Sequence, residues 1–172
     1  MKLGNDEFFT ELCEKVFFGN IADLSKNGVG NFVVQSLLSS VRNKSHGEIL
    51  AREILPCFNE LMQGGKQGVI WRLTQVAAKF RIAQESIHKR ISDYFSKGSK
   101  LGLSECIPKL INFSPAEKEG GRITVNANGC KIVLNLLRFV PRLCEPILDG
   151  ILNYYSGEEL TMLAKDSLGS RW

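Results

Sequence analysis

Apolar residues recur at the spacing of a helical turn along most of the chain, and this periodicity most constrains its fold. In the segment 29–41, for example, Val34, Leu37 and Leu38 belong to one helical stripe. Similar patterns cover the segments 6–18, 29–41, 46–62, 69–80, 83–95, 103–113, 129–139, 143–155 and 158–165. Strand-like alternation is confined to residues 122–125. The pattern therefore predicts an all-α chain.

The breaks between these segments indicate a repeat with one insertion. The segment 114–128 contains Pro115, two adjacent glycines and several charges, but no apolar period, so we expect an inserted surface loop. A glycine followed by a helix start returns at positions 30, 68, 129 and 169, which lie 38, 61 and 40 residues apart. Intervals near 40 residues are typical of helical repeats that stack into a solenoid, and the interval of 61 fits one unit plus the loop.

These features divide the chain into a single stretch of repeats. The expected parts are the last helix of a preceding repeat (1–19), a repeat (20–63), a degenerate repeat (64–113), the inserted loop (114–128), a repeat (129–156) and the start of a truncated repeat (157–172). Natural arrays cover their ends with polar faces, and neither end of this sequence has one. We therefore expect both ends to be cuts through a longer array.

The composition limits the class of protein. Hydrophobic residues make up 44% and charged residues 23% of the chain, which is the balance of a globular protein. The net charge of +4 permits an anionic partner without requiring one. There is no apolar run of about 18 residues, so the sequence predicts neither a membrane span nor a membrane partner.

Groups that catalyse reactions or bind metals are sparse. His46 and His88 lie in polar or charged surroundings and far from any cysteine pair, so we expect solvated histidines rather than a nucleophile's base or a zinc site. The sequence thus predicts no enzyme, no cofactor and no small-molecule substrate. An odd number of cysteines in apolar surroundings predicts buried free thiols and a reducing compartment; they are Cys13, Cys57, Cys106, Cys130 and Cys144.

One helix combines amide and aromatic side chains in a way that suits nucleobase recognition. In the segment 29–41, Asn31 and Gln35 are four residues apart beside the apolar stripe, and Phe32 lies nearly opposite it. Amides can hydrogen-bond a base edge while a ring stacks on the base face, which contributes roughly 1–3 kcal/mol per base. The alternative is that Phe32 packs on an adjacent repeat and Asn31 starts the helix. The spacing alone favours neither interpretation.

The run Gly-Asn-Phe-Val-Val-Gln-Ser-Leu-Leu at 30–38 resembles the second helix of a Pumilio-homology (Puf) repeat. In that family each repeat has three helices in about 36 residues, and each second helix reads one RNA base on a concave surface. The resemblance implies an all-α, right-handed α-solenoid of three-helix Puf-like repeats, an armadillo-like superhelix. It also implies that Asn31 and Gln35 contact a base edge with a preference for uracil, and that Phe32 stacks between bases.

The copy that follows Gly68 matches this pattern less well. Its edge-reading positions are expected at Val69 and Leu73, with Ile70 as the stacking residue. Because two apolar side chains cannot read a base by hydrogen bonds, this copy favours a structural repeat without base recognition.

The third and fourth copies carry cationic residues. In the third, Cys130 and Leu134 flank Lys131, which is expected to contact phosphate and to supply affinity without sequence information. In the fourth, Ser170 and Arg171 match the first two positions of the Puf pattern, so we include them among the RNA-binding candidates.

The degenerate repeats, the inserted loop and the ending at 165–171 resemble one branch of the family in particular. It comprises the divergent Puf-like nucleolar proteins that act in maturation of small-subunit ribosomal RNA, including the nucleolar Pumilio type of plants. The resemblance implies binding to single-stranded or structured RNA, with precursor ribosomal RNA as the target. It also implies other ribosome-assembly proteins as partners, a role in ribosome biogenesis, and a location in the nucleus and nucleolus.

A HEAT- or armadillo-like scaffold that binds protein rather than RNA is the alternative. It accounts for the helices, the loop and the apolar positions of the second copy, but not for the amide and aromatic set of the segment 29–41. Convergence of Lys66, Arg72, Lys131 and Arg171 on the concave face would favour RNA, whereas scattering over the convex side would favour the scaffold.

Overall fold

The computed structural model describes residues 6–96, 102–113 and 125–165, and every regular element in these ranges is helical. A π-helical stretch, Cys13–Phe17, continues the first helix, and a 3-10 turn, Leu55–Cys57, joins the fourth to the fifth. The predicted all-α class is therefore confirmed for this part of the chain. The helices are α1 (Asp6–Leu12), α2 (Ile21–Lys26), α3 (Gly30–Ser39), α4 (Lys44–Ile54), α5 (Phe58–Gln63), α6 (Gln67–Phe80), α7 (Gln84–Ser96), α8 (Leu103–Asn112), α9 (Ala127–Leu136), α10 (Pro141–Tyr154) and α11 (Gly157–Lys165).

The structure departs from the predicted segments at three places. The segment 46–62 is divided into α4 and α5, because Pro56 lacks a backbone N–H and the chain passes through a 3-10 turn there. The six residues of α2 are too few to show an apolar period, so this helix is absent from the predicted set. The loop expected at 114–128 ends earlier, since α9 begins at Ala127. Residues 114–124, which include most of the candidate strand at 122–125, lie outside the described ranges.

None of the described helices has the length and apolarity that a membrane crossing needs.

The chain forms two compact units, which divide between Ile87 and His88. In the first unit, α3 packs against both α2 and α6, and α4 packs against the same two helices. Each large apolar side chain that is fully buried contributes about 1.5–3 kcal/mol to folding. Those at the centre of this unit include Ile21, Leu37, Leu38, Leu50, Ile54, Phe58, Leu61, Ile70 and Leu73.

In the second unit, α8 packs closely against α9 and α10 at two glycines. A Cβ atom at Gly129 would collide with the backbone oxygens of Leu110 and Ile111, and one at Gly150 would collide with the backbone oxygen of Ser104. Both contacts bring helix backbones together at distances that only glycine permits. The side chains buried around them include Ile107, Leu110, Ile132, Val133, Leu136 and Ile147.

The expectation of a solvated His46 is wrong. This side chain is buried, and its ring lies 5.6 Å from the ring of Phe9 and 6.1 Å from that of Phe18. The sequence shows only polar neighbours along the chain, whereas these two phenylalanines reach the ring from other elements. His88 is half-buried, and this burial lowers its pKa.

The cysteines are free thiols, as predicted. Four of the five are buried, and Cys144 is partly buried. Burial raises the pKa of Cys13 to about 11, so its thiol stays protonated at neutral pH. The described residues contain no cluster of His, Cys, Asp or Glu side chains that would hold a metal ion.

Candidate nucleic-acid interface

α3 and α9 begin with the same turn, which an asparagine side chain stabilises. The Oδ1 atom of Asn27 accepts hydrogen bonds from the backbone N–H groups two and three residues later, both at 2.9 Å. Asn126 Oδ1 does the same at 2.9 and 3.2 Å. These bonds satisfy N–H groups that a helix start leaves unpaired. In both helices the asparagine stands three residues before the buried glycine, Gly30 or Gly129.

The amide of Asn31 serves this helix start. Its Nδ2 atom donates hydrogen bonds to the backbone oxygens of Asn27, at 3.0 Å, and Gly28, at 2.7 Å. The side chain is only 3% exposed, which fits the alternative that Asn31 starts the helix better than an open position at a base edge. Gln35 Nε2 donates to Asn31 Oδ1 at 3.0 Å, so the two amides form a ladder along α3. This bond uses one of the two amide N–H groups of Gln35. The residue as a whole is half-buried.

Phe32 points away from the core of the first unit. Its side chain is 64% exposed, whereas Val34, two residues later on the same helix, is fully buried. An aromatic side chain of this size gains free energy when its faces are covered. α3 therefore presents a ring face and a half-buried amide within one helical turn.

The pattern of burial shows how α6 corresponds to α3. The buried residues of α3 are 30, 31, 34, 37 and 38. Adding 39 gives 69, 70, 73, 76 and 77, all of which are buried in α6, whereas adding 38 gives only two buried positions, 69 and 76. Gly68 is not the counterpart of Gly30, because a Cβ atom at Gly68 would lie 2.7 Å from the amide nitrogen and oxygen of Gln35. The register of α6 is therefore shifted by one residue from the one that its glycine suggests.

In this register, Trp71 holds the stacking position of α6, and Ile70 and Thr74 hold the two amide positions. Val69, Ile70 and Leu73, which the glycine register places at the contact positions, are fully buried, and this burial agrees with the expectation that they read no base. Trp71 is half-exposed. Aligning the apolar residues rather than the glycines of the two helices would have found it.

Arg72 accompanies Trp71 on α6. The Cζ atom of Arg72 lies 3.8 Å from the centroid of the Trp71 ring. Its Nη1 atom donates a 2.9 Å hydrogen bond to Oε1 of Gln75. Burial lowers the pKa of this guanidinium, which nevertheless stays charged at neutral pH. Lys66, the residue that precedes α6, is half-buried.

The remaining predicted contacts lie elsewhere in the chain. In the second unit, Cys130 is buried, and Lys131 and Leu134 are half-buried on α9. The expected phosphate contact of Lys131 stays a prediction. Ser170 and Arg171 lie outside the described residues.

Short helices that repeat one pattern of burial define an α-helical repeat protein. The model of the NOP9-like PUF repeat domain matches residues 1–172, and the chain belongs to this family. The predicted resemblance to Puf repeats is thereby confirmed.

Relatives of the chain agree with this assignment. Pumilio homolog 23 of Arabidopsis thaliana is 24% identical over 179 residues, an alignment that covers 99% of this chain and 24% of the relative. The chain thus spans about a quarter of that relative's length. The solved structure described as "Structure of APUM23-GGAUUUGACGG" has a TM-score of 0.81 at 22% identity, over 99% of this chain and 33% of its own. "Structure of APUM23-deletion-of-insert-region-GGAAUUGACGG" has a TM-score of 0.80 at 24% identity, over 98% of this chain and 34% of its own. These likenesses confirm the predicted fold class of Puf-type helical repeats.

Proposed function

We propose that this chain binds RNA through the exposed side chains of α3 and α6. The observation that carries the proposal is the exposed ring of Phe32 beside the Gln35 amide, in a helix whose neighbour α6 has Trp71 at the equivalent position. Two aromatic side chains at equivalent positions of adjacent repeats can stack on successive bases.

The contacts at α3 divide between its three candidate residues. Phe32 stacks on a base, and Gln35 offers its remaining N–H and its carbonyl oxygen to the base edge. Asn31 orients Gln35 through their mutual hydrogen bond. A direct contact from the Asn31 amide requires it to leave the two backbone oxygens that it now binds. Uracil, which has both donor and acceptor groups on its edge, is the proposed base. Lys131, Ser170 and Arg171 are proposed as secondary contacts.

The biological target proposed for the whole protein is precursor ribosomal RNA. The family description names NOP9, and the solved APUM23 structures carry RNA sequences in their descriptions. These descriptions support a role in small-subunit rRNA processing, a nuclear and nucleolar location, and ribosome-assembly proteins as further partners.

Replacing Gln35 with alanine should weaken binding to a fluorescent uracil-containing single-stranded RNA and abolish its preference over the cytosine-substituted RNA. Loss of an amide contact of about 1–2 kcal/mol corresponds to roughly a 5- to 30-fold increase in Kd. Fluorescence anisotropy measures the effect, and circular dichroism checks helicity. The double variant Asn31→Ala/Gln35→Ala should show at least the same loss.

The matched control is Gln63→Ala, which removes an exposed amide from α5 in the same unit. It should bind like the wild type. If wild type, double variant and control bind both RNAs equally well, base reading at α3 is refuted. If the wild type binds no RNA even at low salt, the proposed function itself is refuted, as a protein-binding scaffold would predict.

A further inference from the structure

Arg72 is a half-buried cation without a counter-charge in the described part of the chain. No described carboxylate forms an ion pair with it, and its two contacts are the Trp71 ring and the neutral amide of Gln75. Its Nε atom is shielded from solvent and has no hydrogen-bond partner among these residues. A shielded charge with an unsatisfied donor costs folding free energy unless an anion or acceptor approaches it.

Arg72 lies one helical turn from a residue of α6 that touches α3. Gly68 and Arg72 are four residues apart on α6 and therefore share a face of that helix. Gly68 lies against the Gln35 amide of α3. The four-residue spacing therefore puts Arg72 one turn from the contact between Gly68 and Gln35, and next in sequence to the proposed stacking residue Trp71.

The orientation of the Arg72 guanidinium is restricted before any ligand binds. The cation–π contact with the Trp71 ring holds the guanidinium carbon in place, and the bond from Nη1 to Gln75 restricts the rotation of the group. A planar group with several parallel N–H donors matches a phosphate group, which accepts two such bonds. Holding the group in place reduces the entropy lost on binding.

We infer that Arg72 binds a backbone phosphate of the RNA at the contact between α3 and α6. This inference rests on the proposed RNA binding and assigns α6 a backbone contact in addition to its stacking residue. A phosphate contact adds affinity without reading sequence, and salt weakens it by counterion competition.

The test is Arg72→Gln, with Arg52→Gln as the matched control. Arg52 is exposed on α4 in the same unit, so both variants lose one charge. The Kd for a single-stranded RNA is measured by anisotropy from low to high salt. Relative to the control, Arg72→Gln should weaken binding roughly tenfold at low salt. It should also make the plot of log affinity against log salt shallower by about 0.7, the value for one phosphate on a single strand.

A second measurement uses the wild-type protein and so does not depend on how a variant folds. RNAs in which one linkage at a time is an uncharged methylphosphonate should reveal at least one position with a loss comparable to that of Arg72→Gln, and at that position the modification should cost the Arg72→Gln variant no further affinity. Arg72→Lys keeps the charge but loses the planar fork, so it should keep the salt dependence and bind with intermediate affinity.

The outcomes separate this inference from the proposed function. If the wild type binds RNA and Gln35→Ala loses the uracil preference, but Arg72→Gln behaves like Arg52→Gln, only the role of Arg72 is refuted. A loss confined to guanine-containing RNAs would also refute the phosphate contact, because a guanidinium can bind the guanine edge instead. Absence of any sensitive linkage in the methylphosphonate series would refute it as well.

Discussion

Replacing Gly129 with alanine is expected to lower the free energy of unfolding by roughly 3 kcal/mol. The added Cβ atom would collide with the backbone oxygens of Leu110 and Ile111 in α8. Backbone atoms cannot rotate away as a side chain can, so α8 and α9 would have to separate. Urea unfolding followed by circular dichroism measures the loss.

Gly157→Ala is the control for this substitution. Gly157 is the first residue of α11, and nothing lies within 4 Å of the position that its Cβ atom would occupy. Alanine should change stability there by no more than about 1 kcal/mol, in the stabilising direction. Equal effects of the two substitutions would show that α8 and α9 accommodate a methyl group between them.

The second large effect is expected for Phe32→Ala, which should raise the Kd for single-stranded RNA roughly 5- to 150-fold. The reason is the loss of one stacked base, which contributes about 1–3 kcal/mol. The salt dependence should stay the same, since no charge is removed. Because Phe32 is 64% exposed, its removal should leave the unfolding free energy nearly unchanged.

Phe8→Ala is the matched control for the ring, since Phe8 is 58% exposed on α1. It should bind RNA as the wild type does, and Phe32→Trp should retain the affinity. Wild-type binding by both alanine variants would remove Phe32 from the interface. A shallower salt dependence in Phe32→Ala would instead indicate that the ring positions a phosphate contact.

The sequence predicted the all-α class and the position of Phe32 opposite the apolar stripe of its own helix, because both follow from local periodicity, but it left open whether an adjacent repeat covers the ring. It did not predict the burial of Asn31. That amide binds backbone oxygens three and four residues earlier, and this geometry depends on the turn that Asn27 stabilises. Nor did it predict a buried His46, because Phe9 and Phe18 reach that ring only in the folded chain.

The register of α6 was missed for a related physical reason. Gly30 and Gly129 are required where a helix start touches the backbone of another helix, at Leu24 in the first case and at α8 in the second. Gly68 instead leaves room for the amide of Gln35. A glycine in the sequence shows that space is short, but it does not show which neighbour occupies the space.

The one-residue offset between α3 and α6 sets a rule for anyone who recodes this chain to recognise a new base. Counting from Gly68 would direct the engineer to Val69 and Leu73, and would place two amides in the apolar core. Counting from the buried residues leads to Ile70 and Thr74, the counterparts of Asn31 and Gln35, but both of these side chains are fully buried as well. A redesign of α6 therefore starts at the half-exposed Trp71, and not at the positions that the glycine of this helix suggests.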